Sequence, residues 1–461
     1  MSYLFADGEK MENKNNVTLY NLNPSQEVSK LQCKYTLFKR VINILTSMTT
    51  KDNLDFEIMK NAINKVIERN DCLRIKFVKQ GKELMQYFAP YTKIDVPVLT
   101  FNTQKEQEAF INKTKKKAIK YMKGVVFEPY LIKTFDDKYM VFLKVCHMVL
   151  DIYGISVIFK DIFEVYDALK NGKELPEPPA SFEEIVKKDL EKKRNEISHQ
   201  KHKEFFTEYL KQREEPYYAG VSADACKIWN KRAAKNKRAM KMFFIKNDTV
   251  GYARPMNKAL TARVMEYCQK NQQSPASFLF YTTSLCASKM NKNAPNMLPL
   301  ELCNCRATAA ERKCAGTKVQ SLGCYTNVDQ NKTFVENFAA HVDNHNTLFR
   351  HISFPDQDFE VLMHKIYGSS VFSTYYSITY SFIPFALNGD LEFQVYSNEK
   401  GALPAYVAHL YNAKTGEMTM VYDVQSKIIT EKDVDNFHKN YEKVIAIVLD
   451  NPDIMIKDIK I

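Results

Sequence analysis

The feature that most constrains the fold is a junction between a mostly apolar run and an amphipathic segment. Residues 138–146 read KYMVFLKVC, and from Ile155 to Leu169 apolar residues recur every three or four positions. The first pattern is typical of a strand that is buried on both faces, and the second of a helix with one apolar face. We therefore predict that the segment His147–Asp151 between them is the loop at the end of a buried strand.

The same two patterns recur along both halves of the chain. Helices are predicted at residues 54–70 and 256–271, which each carry an apolar stripe. Strands are predicted at 72–78, 84–89 and 298–306, where aromatic and branched residues are enriched. Helices of this kind bury their apolar faces on sheets, so the sequence predicts an α+β fold.

The middle of the chain has a different character. Residues 171–216 open with a proline-rich turn and continue as a highly charged helical stretch. We expect this stretch to connect two lobes. The predicted divisions are a first lobe at 1–175, a helical linker at 176–240 and a second lobe at 241–461.

Composition limits the cellular setting. A membrane-spanning helix needs roughly 18 uninterrupted apolar residues, and no run in this sequence of 461 residues approaches that length. The polar, acidic start MSYLFADGEKMENKNN is unlike a signal peptide. The ten cysteines are scattered, and Cys303, Cys305, Cys314 and Cys324 lack the paired spacing of a zinc site. We expect buried thiols, no metal, and a soluble protein of the reducing cytoplasm.

The charge pattern indicates a solvated surface. The net charge is +12, and its densest run, residues 113–123, keeps apolar residues at helical spacing between the lysines. We interpret this run as the polar side of a helix rather than an arm for nucleic acid. The sequence contains no nucleic-acid motif, no G-x-S-x-G elbow and no glycine-rich phosphate loop.

Four stretches, taken in order, resemble a known family. They are LNPSQ at 22–26, AINKVIERNDCLRIKF at 62–77, CHMVLDI at 146–152 and NCRATAAERKCAGTKVQSLGCYTNV at 304–328. Together they resemble the condensation domains of nonribosomal peptide synthetases, within the chloramphenicol-acetyltransferase-like superfamily. The third stretch resembles the family's His-His-x-x-x-Asp-Gly signature, but Cys146 replaces its first histidine and Ile152 its glycine.

The resemblance implies two acyltransferase-like lobes in a V, each a mixed sheet with packed helices, and a tunnel between them. His147 matches the catalytic histidine, which acts as a general base or positions the substrates. The implied reaction is that of a free-standing acyltransferase, moving an acyl group from a phosphopantetheine thioester to an amine or hydroxyl. The thioester is carried by a carrier protein acting in trans or by coenzyme A, no cofactor is tightly bound, and the protein is a monomer.

The resemblance also assigns supporting residues. Asp151 matches an aspartate that pairs with an arginine and holds the loop, and we predict Arg74 as its partner. Gly154 is the glycine nearest to the missing signature position. A second set lies in the later segment as tunnel or loop candidates: Arg306, Gly323 in a turn and Asn327 in a loop hydrogen bond.

Two other functions stay open at this stage. One is a small-molecule O- or N-acyltransferase that uses acyl-CoA. The other is a non-catalytic relative that only docks carrier proteins, an alternative motivated by Cys146 and Ile152. The sequence does not identify the donor, the acceptor, or whether the product is an amide or an ester.

Overall fold

The computed structural model describes residues 17–36, 38–193, 196–223, 238–242, 247–386, 391–401 and 403–461. The predicted α+β class is confirmed. The described helices are Pro24–Tyr35, Phe56–Arg69, Gln104–Lys116, Ile152–Lys170, Phe182–Lys193, Glu196–Lys211, Lys258–Lys270, Pro275–Met290, Ala309–Arg312, Phe334–Phe349, Asp356–Tyr367 and Glu431–Asp450. Short 3-10 turns are Lys39–Ile42, Asp71–Arg74, Tyr121–Lys123 and Ile456–Asp458.

A five-stranded sheet forms the centre of the first half. In spatial order its strands are Leu391–Tyr396, Asn43–Thr50, Tyr139–Cys146, Phe127–Lys133 and Val98–Thr100. Its middle strand, Tyr139–Cys146, is the predicted buried strand, and we call it the motif strand. All of its residues after Tyr139 are buried. The edge strand Leu391–Tyr396 comes from the second half and pairs with Asn43–Thr50, so the two halves share this sheet.

A six-stranded sheet forms the centre of the second half. Its spatial order is Val319–Gly323, Leu300–Asn304, Thr379–Phe385, Ala405–Asn412, Glu417–Gln425 and Thr249–Pro255. Its inner strands Leu300–Asn304, Thr379–Phe385 and Ala405–Asn412 run parallel. The remaining short strands are Tyr20–Asn21, Ile75–Gln80, Glu83–Phe88, Met240–Lys241, Asn296–Met297, Thr326–Asn327 and Ser373–Thr374.

The two larger hydrophobic cores follow this division. One core is built from residues 22–186 together with Cys314 and Ala315, and the other from residues 206–459. Phe182 at the start of the linker lies in the first core, whereas Phe206 lies in the second. The three domain ranges stay a prediction, since residues 224–237 of the predicted linker lie outside the described part.

The ends of helices and hairpins carry residue types that suit those positions. Ser274 caps the helix Pro275–Met290, whose first residue is proline. Gly81 has φ +60° in the turn between Ile75–Gln80 and Glu83–Phe88, a backbone conformation that glycine adopts without a steric cost. None of the described helices is long and apolar enough to cross a membrane.

The helix predicted across residues 113–123 is wrong in its second half. The helix ends at Lys116. Asn43 of the first sheet donates to the carbonyl of Lys117 and accepts from the N–H of Ile119, at 2.9 and 3.0 Å. These bonds hold the backbone in an extended form, because the amide of one buried side chain replaces the helical hydrogen bonds of two residues.

Candidate functional site

His147 lies immediately after the motif strand, as predicted. Its N–H donates to the carbonyl of Ile42 at 2.8 Å, and its own carbonyl accepts from the Ser29 hydroxyl at 3.5 Å. The 3-10 turn Lys39–Ile42 and the helix Pro24–Tyr35 therefore fix the backbone of this residue from two sides.

The His147 ring is half-buried and sparsely bonded. Its Nδ1 is buried and has no hydrogen-bond partner among the described residues. Burial lowers the pKa of the imidazole, and its own carbonyl and the Asp151 carboxylate offset part of that change. The ring is therefore neutral at neutral pH, which is the form that accepts a proton.

Asp151 is held far more firmly. It is the N-cap of the helix Ile152–Lys170, and its Oδ1 accepts from the N–H of Gly154 at 2.7 Å. Both carboxylate oxygens accept from the Arg306 guanidinium, each at 3.0 Å. Oδ2 also accepts from the N–H groups of Lys318 and Val319, at 2.8 and 3.1 Å. Five donors thus surround one buried carboxylate, which ties the motif loop to the second half of the molecule.

The prediction that Arg74 pairs with Asp151 is wrong. Arg74 ends the 3-10 turn Asp71–Arg74 and donates from Nη1 to the carbonyl of Ala89 at 2.6 Å. It thus bonds within its own hairpin, while Asp151 faces residues from the other half of the chain. The role of Arg74 is to close this hairpin.

Arg306 is the actual partner and is fully buried. Besides the aspartate, it donates to the side chain of Asn304 at 2.8 Å and to the carbonyls of Cys314 and Gly316. Its guanidinium also lies 4.6 Å from the centre of the Tyr153 ring. A planar guanidinium with five N–H donors suits this position, because it meets a carboxylate and several carbonyls at once.

Gly154 lies where two chain segments nearly touch. A Cβ at this position would overlap the carbonyl oxygen of Ala315. Next to it, Leu150 and Gly316 form an isolated antiparallel bridge. We call residues 304–319 the facing segment. Its close approach requires a small residue at position 154.

Sequence reasoning missed two residues of the facing segment. Gly316 has no room for a Cβ, which would overlap the Phe182 ring. The buried ammonium of Lys318 bonds to Asp189 at 2.8 Å and lies 3.2 Å from Glu311. The only sequence signal for these two residues was the Gly-Thr-Lys triplet within the stretch that resembles the family. Its structural role could not be inferred without knowing which residues it contacts in the fold.

The two remaining candidates lie further along the same stretch. Gly323 ends the strand Val319–Gly323 and pairs with Leu300, so its prediction as a turn residue is wrong. A Cβ on it would lie 2.6 Å from the Phe359 ring, so packing rather than a turn requires glycine. Asn327 is exposed and belongs to a two-residue strand paired with Asn296, rather than to a loop. Their part in a tunnel stays a prediction.

The described residues offer no set of ligands for a metal ion. The four cysteines of the 303–324 region are mostly buried, and burial raises the pKa of their thiols. Across the described ranges, no cluster of three or more His, Cys, Asp or Glu side chains is placed to hold an ion.

Comparison with known proteins decides the family. The sequence model described as Condensation domain matches residues 16–461. The chain belongs to the condensation domain family. Its curated relatives include a plipastatin synthase subunit from Bacillus subtilis, 20% identical over 68% of this chain, and Bacitracin synthase 3 of Bacillus licheniformis, 27% identical over 37% of it. The chain spans only 12% and 3% of the lengths of these two proteins.

Solved structures support the same fold. A starter condensation domain of rhizomide synthetase RzmA, crystallised with C8-CoA, matches with a TM-score of 0.79 at 15% identity, over 96% of this chain and 97% of that one. The first condensation domain of the calcium-dependent antibiotic synthetase, in complex with a substrate analogue, matches with a TM-score of 0.79 at 12% identity, over 96% and 100% of the two chains.

Proposed function

We propose that this condensation domain is an acyltransferase that moves an acyl group from a phosphopantetheine thioester to an amine or hydroxyl. The observation that carries the proposal is the state of His147: a neutral imidazole that keeps part of its surface in solvent, placed at the end of a buried strand. Family membership and a structural relative in complex with C8-CoA support an acyl thioester as donor.

In this proposal Nε2 of His147 meets the acceptor. Nδ1 is enclosed, so Nε2 is the nitrogen left for a reactant. The acceptor attacks the thioester carbon, a C–N or C–O bond forms, and the C–S bond breaks. The acceptor proton moves to Nε2 and from there to the departing thiolate, so no external acid is consumed. Holding both substrates beside the ring supplies a further part of the rate through orientation.

Asp151 and Arg306 have no direct part in this chemistry. Their oxygen and nitrogen atoms bond to each other, to the N–H of Gly154, to the Asn304 side chain and to backbone groups of residues 314–319. Their proposed role is to hold the turn that carries His147 against the second half of the molecule.

The test compares donors and variants in one assay. Octanoyl-CoA and an octanoyl carrier protein are each supplied with amine and alcohol acceptors, and products are followed by mass spectrometry. We expect transfer by the natural chain and a loss of about 10²- to 10⁴-fold in kcat for His147→Ala if the ring acts as a base. A rise in KM with kcat unchanged would instead assign it to positioning.

The assay also separates the alternatives. Transfer from octanoyl-CoA alone would favour a small-molecule acyltransferase over a partner of carrier proteins. No transfer from either donor, together with binding of the carrier protein, would overturn the enzymatic proposal in favour of docking. Because burial lowers the pKa of His147, the acid limb of kcat/KM should lie below about pH 6.5.

A further inference from the structure

The six-stranded sheet of the second half has two unlike faces. On one face, Val407, Met420 and Tyr422 lie in the hydrophobic core of the second half. We call the opposite face the inner face. Residues paired across neighbouring strands lie on the same face of a sheet, so the pairings define a row on the inner face that crosses four strands. The row consists of Gly251, Asp423, Tyr406 and Thr379.

This row runs from an open edge of the sheet into the interior. Gly251 lies on the edge strand and is exposed, and the next two residues, Asp423 and Tyr406, are half-buried. Thr379 at the far end is only 8% exposed. Ala408, two residues from Tyr406 on the same face, is buried but belongs to none of the hydrophobic cores among the described residues. A face that is progressively shielded from solvent without joining a core lines a cleft.

The inner end of the row lies near the helix that follows the motif. The strand Thr379–Phe385 contacts the helix Ile152–Lys170, whose N-cap is Asp151. This contact brings the strand against the first half of the molecule. The cleft therefore leads to the boundary of the two halves, on the side of the motif.

The outer end of the row is also connected to the motif. The Ser397 hydroxyl donates to Oδ1 of Asp423 at 2.9 Å. The next residue, Asn398, donates from its amide to two carbonyls, one on each side of Ile42, both at 3.1 Å. The carbonyl of Ile42 itself accepts from the N–H of His147. A short chain of direct contacts thus joins Asp423 to the backbone of His147.

Asp423 has no cation partner among the described residues. The hydroxyls of Ser397 and Thr249 face its carboxyl group. Burial raises the pKa of this carboxyl, and the two hydroxyls oppose that rise. Of the described cations, Lys115 acts on it, but Lys115 pairs with Glu399 at 3.2 Å. A carboxylate accepts about four hydrogen bonds, so this one keeps capacity for a donor in the cleft.

The inner end of the row also keeps unused hydrogen-bonding capacity. The Thr379 hydroxyl oxygen is buried and has no hydrogen-bond partner among the described residues. Buried hydroxyls generally have a partner, so one without it on the wall of a cleft indicates a bound polar molecule. Neighbouring strands lie about 4.8 Å apart, which separates Thr379 from Asp423 by about 10 Å across the sheet. The two groups can therefore meet different parts of one extended molecule.

We infer that Asp423 binds a cationic group of a substrate, an ammonium or a guanidinium. Such a group supplies both the charge and the N–H donors that the carboxylate lacks. A nitrogen that attacks a thioester must be neutral, so the bound cation is not the reacting group. It is a second nitrogen of the acceptor or a nitrogen on the acyl chain of the donor. The inference rests on the proposed function and names its substrate class.

The test has one arm for each source of the cation. In the acceptor arm, octanoyl-CoA is the donor, and diamines from 1,3-diaminopropane to 1,10-diaminodecane are compared with n-alkylamines of the same carbon number. In the donor arm, ω-aminoacyl-CoA thioesters are compared with acyl-CoA thioesters of the same chain length on a single n-alkylamine. We expect the cationic substrate to have at least a tenfold higher kcat/KM in one arm. Equal kcat/KM values in both arms would overturn the inference.

A pair of matched variants tests the carboxylate itself. Asp423→Asn removes the charge but keeps an oxygen for the Ser397 hydroxyl. It should raise the KM of the preferred cationic substrate at least tenfold and change kcat/KM of the neutral counterpart less than twofold. Glu417→Gln, at an exposed position of the same strand about 20 Å away, should leave both substrates unchanged. An equal effect of the two substitutions would reduce the preference to general electrostatics and overturn the inference.

A third variant gives a readout that a merely structural role would not move. Asp423→Glu keeps the charge and carries the carboxylate one methylene further into the cleft. The chain length of the best cationic substrate should therefore become shorter, with the preference over its neutral counterpart retained. An unchanged best chain length would contradict direct contact between this carboxylate and the substrate.

Folding is checked by thermal unfolding of each variant, and kinetics are compared at a temperature at which all of them are folded. Transfer to neutral and cationic substrates alike would overturn this inference alone. Transfer to no acceptor would overturn the proposed function. Calorimetric binding of the same substrates to the natural chain and to Asp423→Asn would then decide the inference, with weaker binding of the cationic substrate to the variant as the expected result.

Discussion

His147 and Asp151 are four residues apart, but the protein treats them in opposite ways. The ring of His147 is half-buried, and its Nδ1 has no partner within the described structure. Asp151 is 4% exposed, and five donors bind its carboxylate. A residue whose bonds are all used within the fold maintains structure, whereas a ring that keeps part of its surface in solvent can meet another molecule. The same motif therefore contains one architectural end, Asp151, and one end, His147, that is reactive in the proposed function.

The largest expected effect is on the architectural end. Asp151→Ala leaves the fully buried guanidinium of Arg306 without its carboxylate. We expect a loss of about 3–5 kcal/mol in the free energy of unfolding, measured by urea titration. His147→Ala is the matched control and should change that free energy by less than about 1 kcal/mol. Equal losses in both variants would show that the two ends do not differ in this way.

A second prediction compares His147 with two histidines of the second half, His341 and His409. Burial lowers the pKa of each of these two imidazoles to about 3. Both rings stay neutral in the folded protein, whereas in the unfolded chain they titrate near about pH 6.5. As the pH falls below that value, the unfolded state takes up protons that the folded state does not bind. The free energy of unfolding therefore falls by about 1.4 kcal/mol per pH unit for each ring.

The measurement is the urea midpoint at two pH values, about 7.5 and about 5.5, on either side of the histidine pKa in the unfolded chain. His409→Phe keeps a ring of similar size among its aromatic neighbours and should reduce the difference in the free energy of unfolding between these two pH values by about 1.4 kcal/mol. His147→Ala should reduce it much less, because that ring keeps part of its surface in solvent. His345 acts in the opposite direction, since Glu301 holds its pKa above the usual value despite burial. A pH dependence that is unchanged in His409→Phe would contradict the prediction.

The third prediction concerns the close approach behind the motif. Gly154→Ala puts a methyl group against the carbonyl of Ala315, so the facing segment must move. We expect a loss of about 1–3 kcal/mol in the free energy of unfolding, together with lower activity, because the turn carrying His147 shifts with the segment. Lys160→Ala, at an exposed position of the same helix, should stay within about 0.5 kcal/mol of the natural chain.

The smallest expected effect separates the two arginines. Arg74 makes its hydrogen bond within its own hairpin, to Ala89, and is only half-buried. Arg74→Ala should therefore cost about 1 kcal/mol and leave kcat unchanged. Arg306→Lys should cost clearly more, because an ammonium cannot bind both carboxylate oxygens and the carbonyls beside them. A larger loss in Arg74→Ala than in Arg306→Lys would contradict the observed pairing.

Much of the local structure was predictable from the chain itself. The motif strand, the helix after Asp151, the cap at Ser274 and the turn at Gly81 follow from patterns within a few residues. The lysine-rich helix is shorter than predicted, because Asn43, more than 70 residues away, binds the backbone at Lys117 and Ile119. Propensity within one segment carries no information on such a partner.

The residues of the candidate site were likewise predictable only where the signal was local in the sequence. The position of His147 at a strand end was predictable, because strand, loop and helix are contiguous in the chain. The partner of Asp151 was not predictable. Arg306 lies 155 positions away, and nothing in the sequence distinguishes it from the other arginines as that partner. Gly316 and Lys318 were missed for the same reason.

By itself the sequence determined the α+β class, the family and the place of the histidine, because periodicity and short motifs act over a few residues at a time. Only the tertiary structure decided which arginine neutralises the aspartate and at which glycines the facing segment packs closely. These features arise where segments far apart in the chain are brought together, and their energies depend on burial and distance, which exist only in the folded molecule.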